Sequence, residues 1–148
     1  MPVLVVGADH PLGEAIVHRL AAPDREVRAF VSTPGSSAGL RQAGIKVAVG
    51  DLSDDSHIGG AATNCFGIVF VEPALEDGRE LAFATPQATR DGWARAAVDA
   101  RVTRVIWVGT GLPTVRAAEV VLVTTANRSA ADIAEEVARL DDAASPLA

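Results

Sequence analysis

A chain of 148 residues with 49% apolar side chains has room for one full core and too little for a second domain of ordinary size. Its formal net charge of −6 opposes non-specific binding to nucleic acid or to an anionic membrane. One cysteine, Cys65, excludes an intrachain disulfide and a multi-cysteine metal site, and at the start of an apolar run it reads as a small buried hydrophobe.

No segment reaches the roughly eighteen apolar residues of a membrane span. The N-terminal apolar run breaks at Gly7 and lacks the basic region of a signal peptide. The expectation is a soluble, cytoplasmic chain forming one domain over residues 1–148.

Val3–Val6 is a continuous apolar run, as in a strand covered on both faces of a parallel sheet. The chain then turns through Gly7-Ala8-Asp9-His10, and Pro11 suits a first helical turn with His10 near the N-cap. Leu12, Ala15, Ile16, Val17 and Leu20 give that helix a wide apolar face, ended by Ala21-Ala22-Pro23-Asp24. Such a helix points its free N–H groups and positive dipole end back at the turn, which suits an anion. The anion matching a strand–turn–helix is the pyrophosphate of a dinucleotide.

Glu26–Ser32 reads as the second strand, and Ser32-Thr33-Pro34-Gly35-Ser36-Ser37 as a turn before a short helix through Leu40, closed by Gly44. Ile45–Val49 is the third strand. Gly50-Asp51-Leu52-Ser53 forms a loop with Ser53 as N-cap, and Asp54 and Asp55 fall in the first turn of the next helix. Phe66–Val71 is the fourth strand, and Glu72–Thr85 is a surface connection marked by Pro, Gly and charge. Thr85-Pro86 opens a helix to about Ala100, with Trp93, Ala97 and Val98 on its apolar face.

Val102–Val108 is the fifth strand, flanked by Arg101 and Arg104, which are expected to face solvent. A tight loop at Gly109–Pro113 follows, then a shrunken helix over about Gly111–Ala118 and a sixth strand at Glu119–Thr124. Ser129-Ala130-Ala131-Asp132 has the form of a capping box with Asp in place of Glu, and Ile133, Val137 and Leu140 face the core from the last helix. The tail after Asp141 is expected to fray. Six apolar strands alternating with helices predict an α/β fold, a doubly wound parallel sheet of order 3-2-1-4-5-6 with helices on both faces. A ligand would then lie beyond the C-terminal ends of strands one, two, four and five.

The spacing G-x-G-x-x-G is not met in the first turn, whereas G-x-x-G-x-x-G is met at Gly7 and Gly13 with His10 between them. With the Gly50-Asp51-Leu52 loop, this resembles the atypical short-chain dehydrogenase/reductases, and more closely their NmrA-like branch, a Rossmann fold, from Val3 to about Leu140. The resemblance implies NAD or NADP as the bound dinucleotide, with Gly7, Asp9, His10, Pro11, Leu12 and Gly13 at its pyrophosphate. The family's turn typically reads G-A-T-G-x-x-G, so Asp9 and His10 are departures. Asp9 brings a carboxylate beside a dianion. His10 either donates to phosphate when protonated or caps the helix and fills the phosphate site.

The family often has an arginine after the second strand that meets the 2′-phosphate of NADP. Ser32 stands there instead and no acidic residue follows, so Ser32 and Thr33 are ribose or phosphate contacts, or an ordinary turn, without selectivity for NAD or NADP. Asp51, with Leu52 beside it, matches the aspartate that the family sets against adenine. Val71, Glu72 and Pro73 fall where the family's backbone lines the ribose, with Glu72 adding an unusual charge. Thr110 lies near the family's active-site serine or threonine.

Family oxidoreductases use a Tyr-x-x-x-Lys helix in which lysine lowers the pKa of tyrosine. This chain has no tyrosine, and its only lysine, Lys46, opens the third strand. No catalytic residue is assigned, and the substrate domain of the extended members is not matched. His10, His18 and His57 lack ligand-like spacing, so no metal site is expected. His57, beside Asp54 and Asp55, suits a solvated helix face. Trp93 and Trp107 suit the core, with Trp107 near enough to the sheet's C-terminal edge to approach a nicotinamide. Three functions are compatible with these residues: a dinucleotide-binding or sensing module, a scaffold or regulatory protein with a degenerate site, and an oxidoreductase with a non-standard acid/base. Sheet edges and the sparsely charged Ala84–Ala97 suit homodimerisation.

Overall fold

The computed structural model describes residues 1–147. Six short apolar runs form strands β1 (Val3–Val6), β2 (Val27–Val31), β3 (Lys46–Val49), β4 (Gly67–Val71), β5 (Arg104–Gly109) and β6 (Glu119–Thr124). Helices α1 (Pro11–Leu20), α2 (Ser37–Gln42), α3 (Asp55–Ala61), α4 (Pro86–Asp99) and α5 (Ala130–Asp142) lie between and after them. All strand pairs are parallel and the order is β3-β2-β1-β4-β5-β6, the doubly wound Rossmann arrangement expected from the sequence.

Alternation along each strand builds two cores. Val3, Val5, Ala29, Val69 and Ile106 point to the side covered by α1, α2 and α5, through Ile16, Leu20, Leu40, Ile133 and Val137. Leu4, Val6, Phe30, Ile68, Phe70 and Trp107 point to the side of α3 and α4. There Phe70 stacks on Trp93 with centroids 5.1 Å apart, and Trp107 lies 5.2 Å from Phe70. Because every strand runs the same way, the loops after β1, β2, β3, β4 and β5 gather on one edge. That edge is where open α/β sheets bind ligands.

Several local expectations are corrected. Arg104 does not face solvent: it is fully buried, pairs with Glu119 at 2.8 Å, and donates to the carbonyls of Leu140 at 2.7 Å and Ala143 at 2.8 Å. The free carbonyls ending α5 draw a cation there. Arg101 is exposed, as expected, in a left-handed conformation with φ +57° just beyond α4. The tail after Asp141 is held, since the Ser145 hydroxyl and the Leu147 amide each donate to Glu119 at 2.7 Å. No helix forms over 111–118. Gly111, Pro113, Thr114 and Val115 all disfavour one. Asp54, not Ser53, caps α3 by accepting from the His57 amide at 3.2 Å, because Ser53 is engaged elsewhere.

Cys65 is buried, and burial pushes its thiol pKa up. The exposed His57 nevertheless sets its ring edge-on to Phe30 at 5.0 Å. Gly50 makes room for that ring, since a Cβ there would stand 2.3 Å from His57 Nδ1.

Candidate functional site

The first turn is built on two glycines that admit no side chain. Gly7 has φ +90°, and a Cβ at Gly13 would stand 2.1 Å from the Gly7 carbonyl oxygen. Helix α1 therefore starts in contact with the end of β1. His10 is the N-cap: its Nδ1 accepts from the Leu12 amide at 3.1 Å, with Pro11 following at the first helical position. Burial lowers the His10 pKa, and the charge of Arg79 adds to this while Asp77, Asp9 and Glu76 oppose it. A lowered pKa favours the neutral imidazole, the form its acceptor role requires.

Asp9 points away from α1 to the end of β2. Its Oδ2 accepts from the Ser32 amide at 3.0 Å, the Ser32 hydroxyl at 3.2 Å, the Thr33 amide at 3.2 Å and the Thr33 hydroxyl at 2.9 Å. Its Oδ1 accepts from Arg79 Nη1 at 2.7 Å, and the Asp9 side chain is only 1% exposed. Burial raises the Asp9 pKa, but the bonds from Arg79, Thr33 and Ser32, with the charge of Arg79, leave it below the usual carboxylate range. Arg79 also donates to the Ser32 hydroxyl at 2.9 Å and clasps Asp77 through Nε and Nη2.

Arg79 comes from the connection between β4 and α4, which the sequence presents as plain surface. A structured turn of 3-10 helix at Glu72–Leu75 opens it. The rest, residues 76–85, crosses the C-terminal edge as a strap toward β3. Leu81 packs on the core beneath. At the far end Asp51 Oδ2 accepts from the Ala82 amide at 3.0 Å, and the Ser53 hydroxyl accepts from the Phe83 amide at 2.9 Å. Asp51 Oδ1 takes the Ser53 amide at 2.8 Å and the Ser53 hydroxyl. Against the effect of its burial, the Ser53 and Ala82 bonds lower the Asp51 pKa. The signal that could have found Arg79 is length, since structureless connections of more than about twelve residues are commonly functional.

Gly7, Asp9, His10, Pro11, Gly13, Ser32 and Thr33 thus meet at one corner, and Asp51 is joined to it through the strap. Leu12 and Leu52 are buried beneath, and the Leu52 carbonyl accepts from Trp93 Nε1 at 2.8 Å. Val71 closes the floor, 3.2 Å from where a Gly7 Cβ would be. Thr110 stands apart, exposed beyond β5. The charge of Glu72 turns inward: its Oε1 accepts from Trp107 Nε1 at 3.0 Å and pairs with Arg90 at 2.7 Å. Trp107 is fully buried by this contact, as core.

Lys46 pairs with Glu26 at 3.2 Å on the opposite edge of the sheet, remote from this corner. Among the described residues no three His, Cys, Asp or Glu side chains could hold a metal together, and no helix is long and apolar enough to cross a membrane. A cleft of about 190 Å³ lies between α1 and α2 beside Asp9. This is small against the roughly 300–1,000 Å³ of ordinary ligand sites.

A family model described as NAD(P)H-binding matches residues 7–142. The chain belongs to the NAD(P)H-binding family. This agrees with the resemblance to the NmrA-like branch of the atypical short-chain dehydrogenase/reductases. Among curated proteins, none matches the sequence. A Rossmann-fold NAD(P)-binding family protein from Shigella flexneri has a similar structure, with TM-score 0.69 and 13% identity over 95% of this chain and 86% of that one. Triphenylmethane reductase from Citrobacter sp., solved with NADP(H), gives TM-score 0.62 and 19% identity over 95% of this chain and 46% of its own. An NADPH-dependent quinone oxidoreductase from Escherichia coli, complexed with NADPH, gives TM-score 0.58 and 20% identity over 72% of this chain and 36% of its own. The chain spans less than half the length of both reductases. At these identities the likeness is one of fold.

Proposed function

We propose that this protein binds a nicotinamide dinucleotide at the edge formed by the first turn and the ends of β2 and β3, and acts as a binding or sensing module without tyrosine–lysine redox chemistry. The observation that carries this is the interlocked pair Gly7 and Gly13, where a Cβ would stand 2.1 Å from a carbonyl oxygen. A turn this tight is the backbone form of a pyrophosphate site. In this reading Gly7, His10, Pro11, Leu12 and Gly13 surround the phosphates, Asp9, Ser32 and Thr33 the adenosine ribose, and Asp51 with Leu52 the adenine. Val71 lies under the second ribose, and Thr110 at the nicotinamide end. The bound group would supply its own redox chemistry, and the residues of this chain hold and orient it.

Entry of a dinucleotide requires the strap at 76–85 to lift, because Arg79 and Ala82 cross the adenosine side. Thermal melts with NADH and NADPH test the reading, since a ligand bound only to the folded state raises stability by mass action. Stabilisation that grows with nucleotide concentration is expected. No shift at millimolar NADH and NADPH would overturn it.

The same Asp9–Arg79 contact supports a second reading, in which the site is sealed and the protein acts as a scaffold. Nucleotide copurifying with the protein would rule that out. Reduction by this chain would need an acid/base besides the missing tyrosine and lysine. Consumption of NAD(P)H across carbonyl and quinone substrates would be its sign.

A further inference from the structure

Five donors converge at the end of β2: the amides and hydroxyls of Ser32 and Thr33, and the guanidinium of Arg79. Two successive amides, two hydroxyls and an arginine are the chemistry of a cradle for a phosphate monoester. Here the cradle holds a carboxylate of the chain itself, supplied by Asp9 from the turn after β1. The Asp9 side chain is 1% exposed, so its charge is set inside the cradle and not at its rim.

In dinucleotide-binding folds the end of β2 is where the adenosine ribose is read, by an acidic residue on a free diol or by an arginine on a 2′-phosphate. No acidic residue follows β2 in this sequence, yet the fold delivers one to that spot from the first turn. We infer that Asp9 is the ribose-discriminating residue of the site, an internal plug that excludes a 2′-phosphate and accepts the hydroxyls of an unphosphorylated ribose. This rests on the dinucleotide reading above and adds the nucleotide class, NAD(H) over NADP(H).

The charge balance supports the direction. A 2′-phosphate entering the cradle would meet the Asp9 carboxylate at hydrogen-bonding range, with all five donors taken, and like charges brought together at a recognition site are strongly disfavoured. A ribose hydroxyl is a donor and needs only one carboxylate oxygen. Asp9 Oδ1 becomes available when Arg79 Nη1 withdraws, and Arg79 stays paired because Asp77 holds its Nε and Nη2. Asp9 Oδ2 keeps its four bonds to Ser32 and Thr33 throughout.

The test compares NADH, NADPH and adenosine 2′-monophosphate by calorimetry on the full chain and on Asp9→Thr, Asp9→Asn and Asp9→Thr/Arg79→Ala. Wild type is expected to favour NADH over NADPH by at least about tenfold and to ignore adenosine 2′-monophosphate. Asp9→Thr should erase or reverse the preference and gain adenosine 2′-monophosphate binding, and Arg79→Ala in that background should remove the gain. Asp9→Asn, which keeps the shape and removes the charge, answers the same question if Asp9→Thr fails to fold. Equal affinities in wild type, or a folded Asp9 variant with an unchanged preference and no 2′-phosphate binding, overturns the inference. If no dinucleotide binds wild type while the Asp9 variant takes adenosine 2′-monophosphate, the plug stands and the dinucleotide reading falls.

Discussion

Two arginine–carboxylate pairs sit on opposite edges of the same sheet and differ in what surrounds them. Arg104 and Glu119 open the adjacent strands β5 and β6, in register with each other, with side chains 0% and 4% exposed. Arg104 spends its other donors on the carbonyls ending α5. Arg79 and Asp9 lie at the C-terminal edge, 16% and 1% exposed, and Arg79 carries a second carboxylate, Asp77, on its own segment. The first pair cannot part without stranding a buried charge. The second can, because Asp77 keeps Arg79 beside a carboxylate while Asp9 holds its four bonds to Ser32 and Thr33. One chemistry therefore serves as a rivet at one edge and as a catch at the other.

Replacing the rivet should have the largest effect. Arg104→Ala leaves the buried Glu119 carboxylate without its counter-charge and takes a donor from the carbonyls ending α5, and a loss of about 3–5 kcal/mol is expected in urea unfolding. Limited proteolysis should then cut first in the released segment after Asp142. If Arg104→Ala unfolds at the wild-type midpoint, the contrast between the two pairs disappears.

Arg79→Ala should cost only about 1–2 kcal/mol, since Asp9 keeps its four bonds to Ser32 and Thr33. Its signature is local: amide exchange at Ala82 and Phe83 should quicken while the β1 and β4 amides stay protected. Uniform acceleration across the sheet would mean that the strap is part of the core and not a catch.

His10→Ala removes the α1 cap and should lower stability by about 1 kcal/mol, read from the denaturation midpoint. The pH dependence of that difference is smaller still, and its sign is fixed. The folded His10 pKa lies below the usual imidazole value of about 6.5. Its contribution is therefore complete above that value and fades as pH falls through the depressed folded value, where Nδ1 takes a proton and can no longer accept. Wild type and His10→Ala should converge in melting temperature on acidification, and a widening gap would show that the imidazolium stabilises the turn.

The sheet was legible because its information is local. Val3–Val6 and the run ending at Val71 are apolar without interruption, and Gly7 and Gly13 mark a turn that their neighbours alone require. Arg104 was misread because its partners are Glu119 and the carbonyls of α5, which only the folded chain brings beside it. The role of Asp9 was hidden for the same reason. Beside His10 in sequence it reads as a charge against the pyrophosphate, whereas its bonds run to β2 and to an arginine far along the chain. The helix expected over 111–118 failed locally, since Pro113 and its β-branched neighbours outweighed the family's precedent.

The aromatic inventory has a practical consequence for anyone watching this protein work. Both tryptophans, Trp93 and Trp107, are fully buried against Phe70 on the α3 and α4 side, and the chain has no tyrosine. Its intrinsic emission therefore reports one sealed patch of core, which the strap touches through Leu81. Phe83 stands 70% exposed on that strap, next to the bond that fastens it to Ser53. A tryptophan introduced as Phe83→Trp would give the moving segment a light of its own.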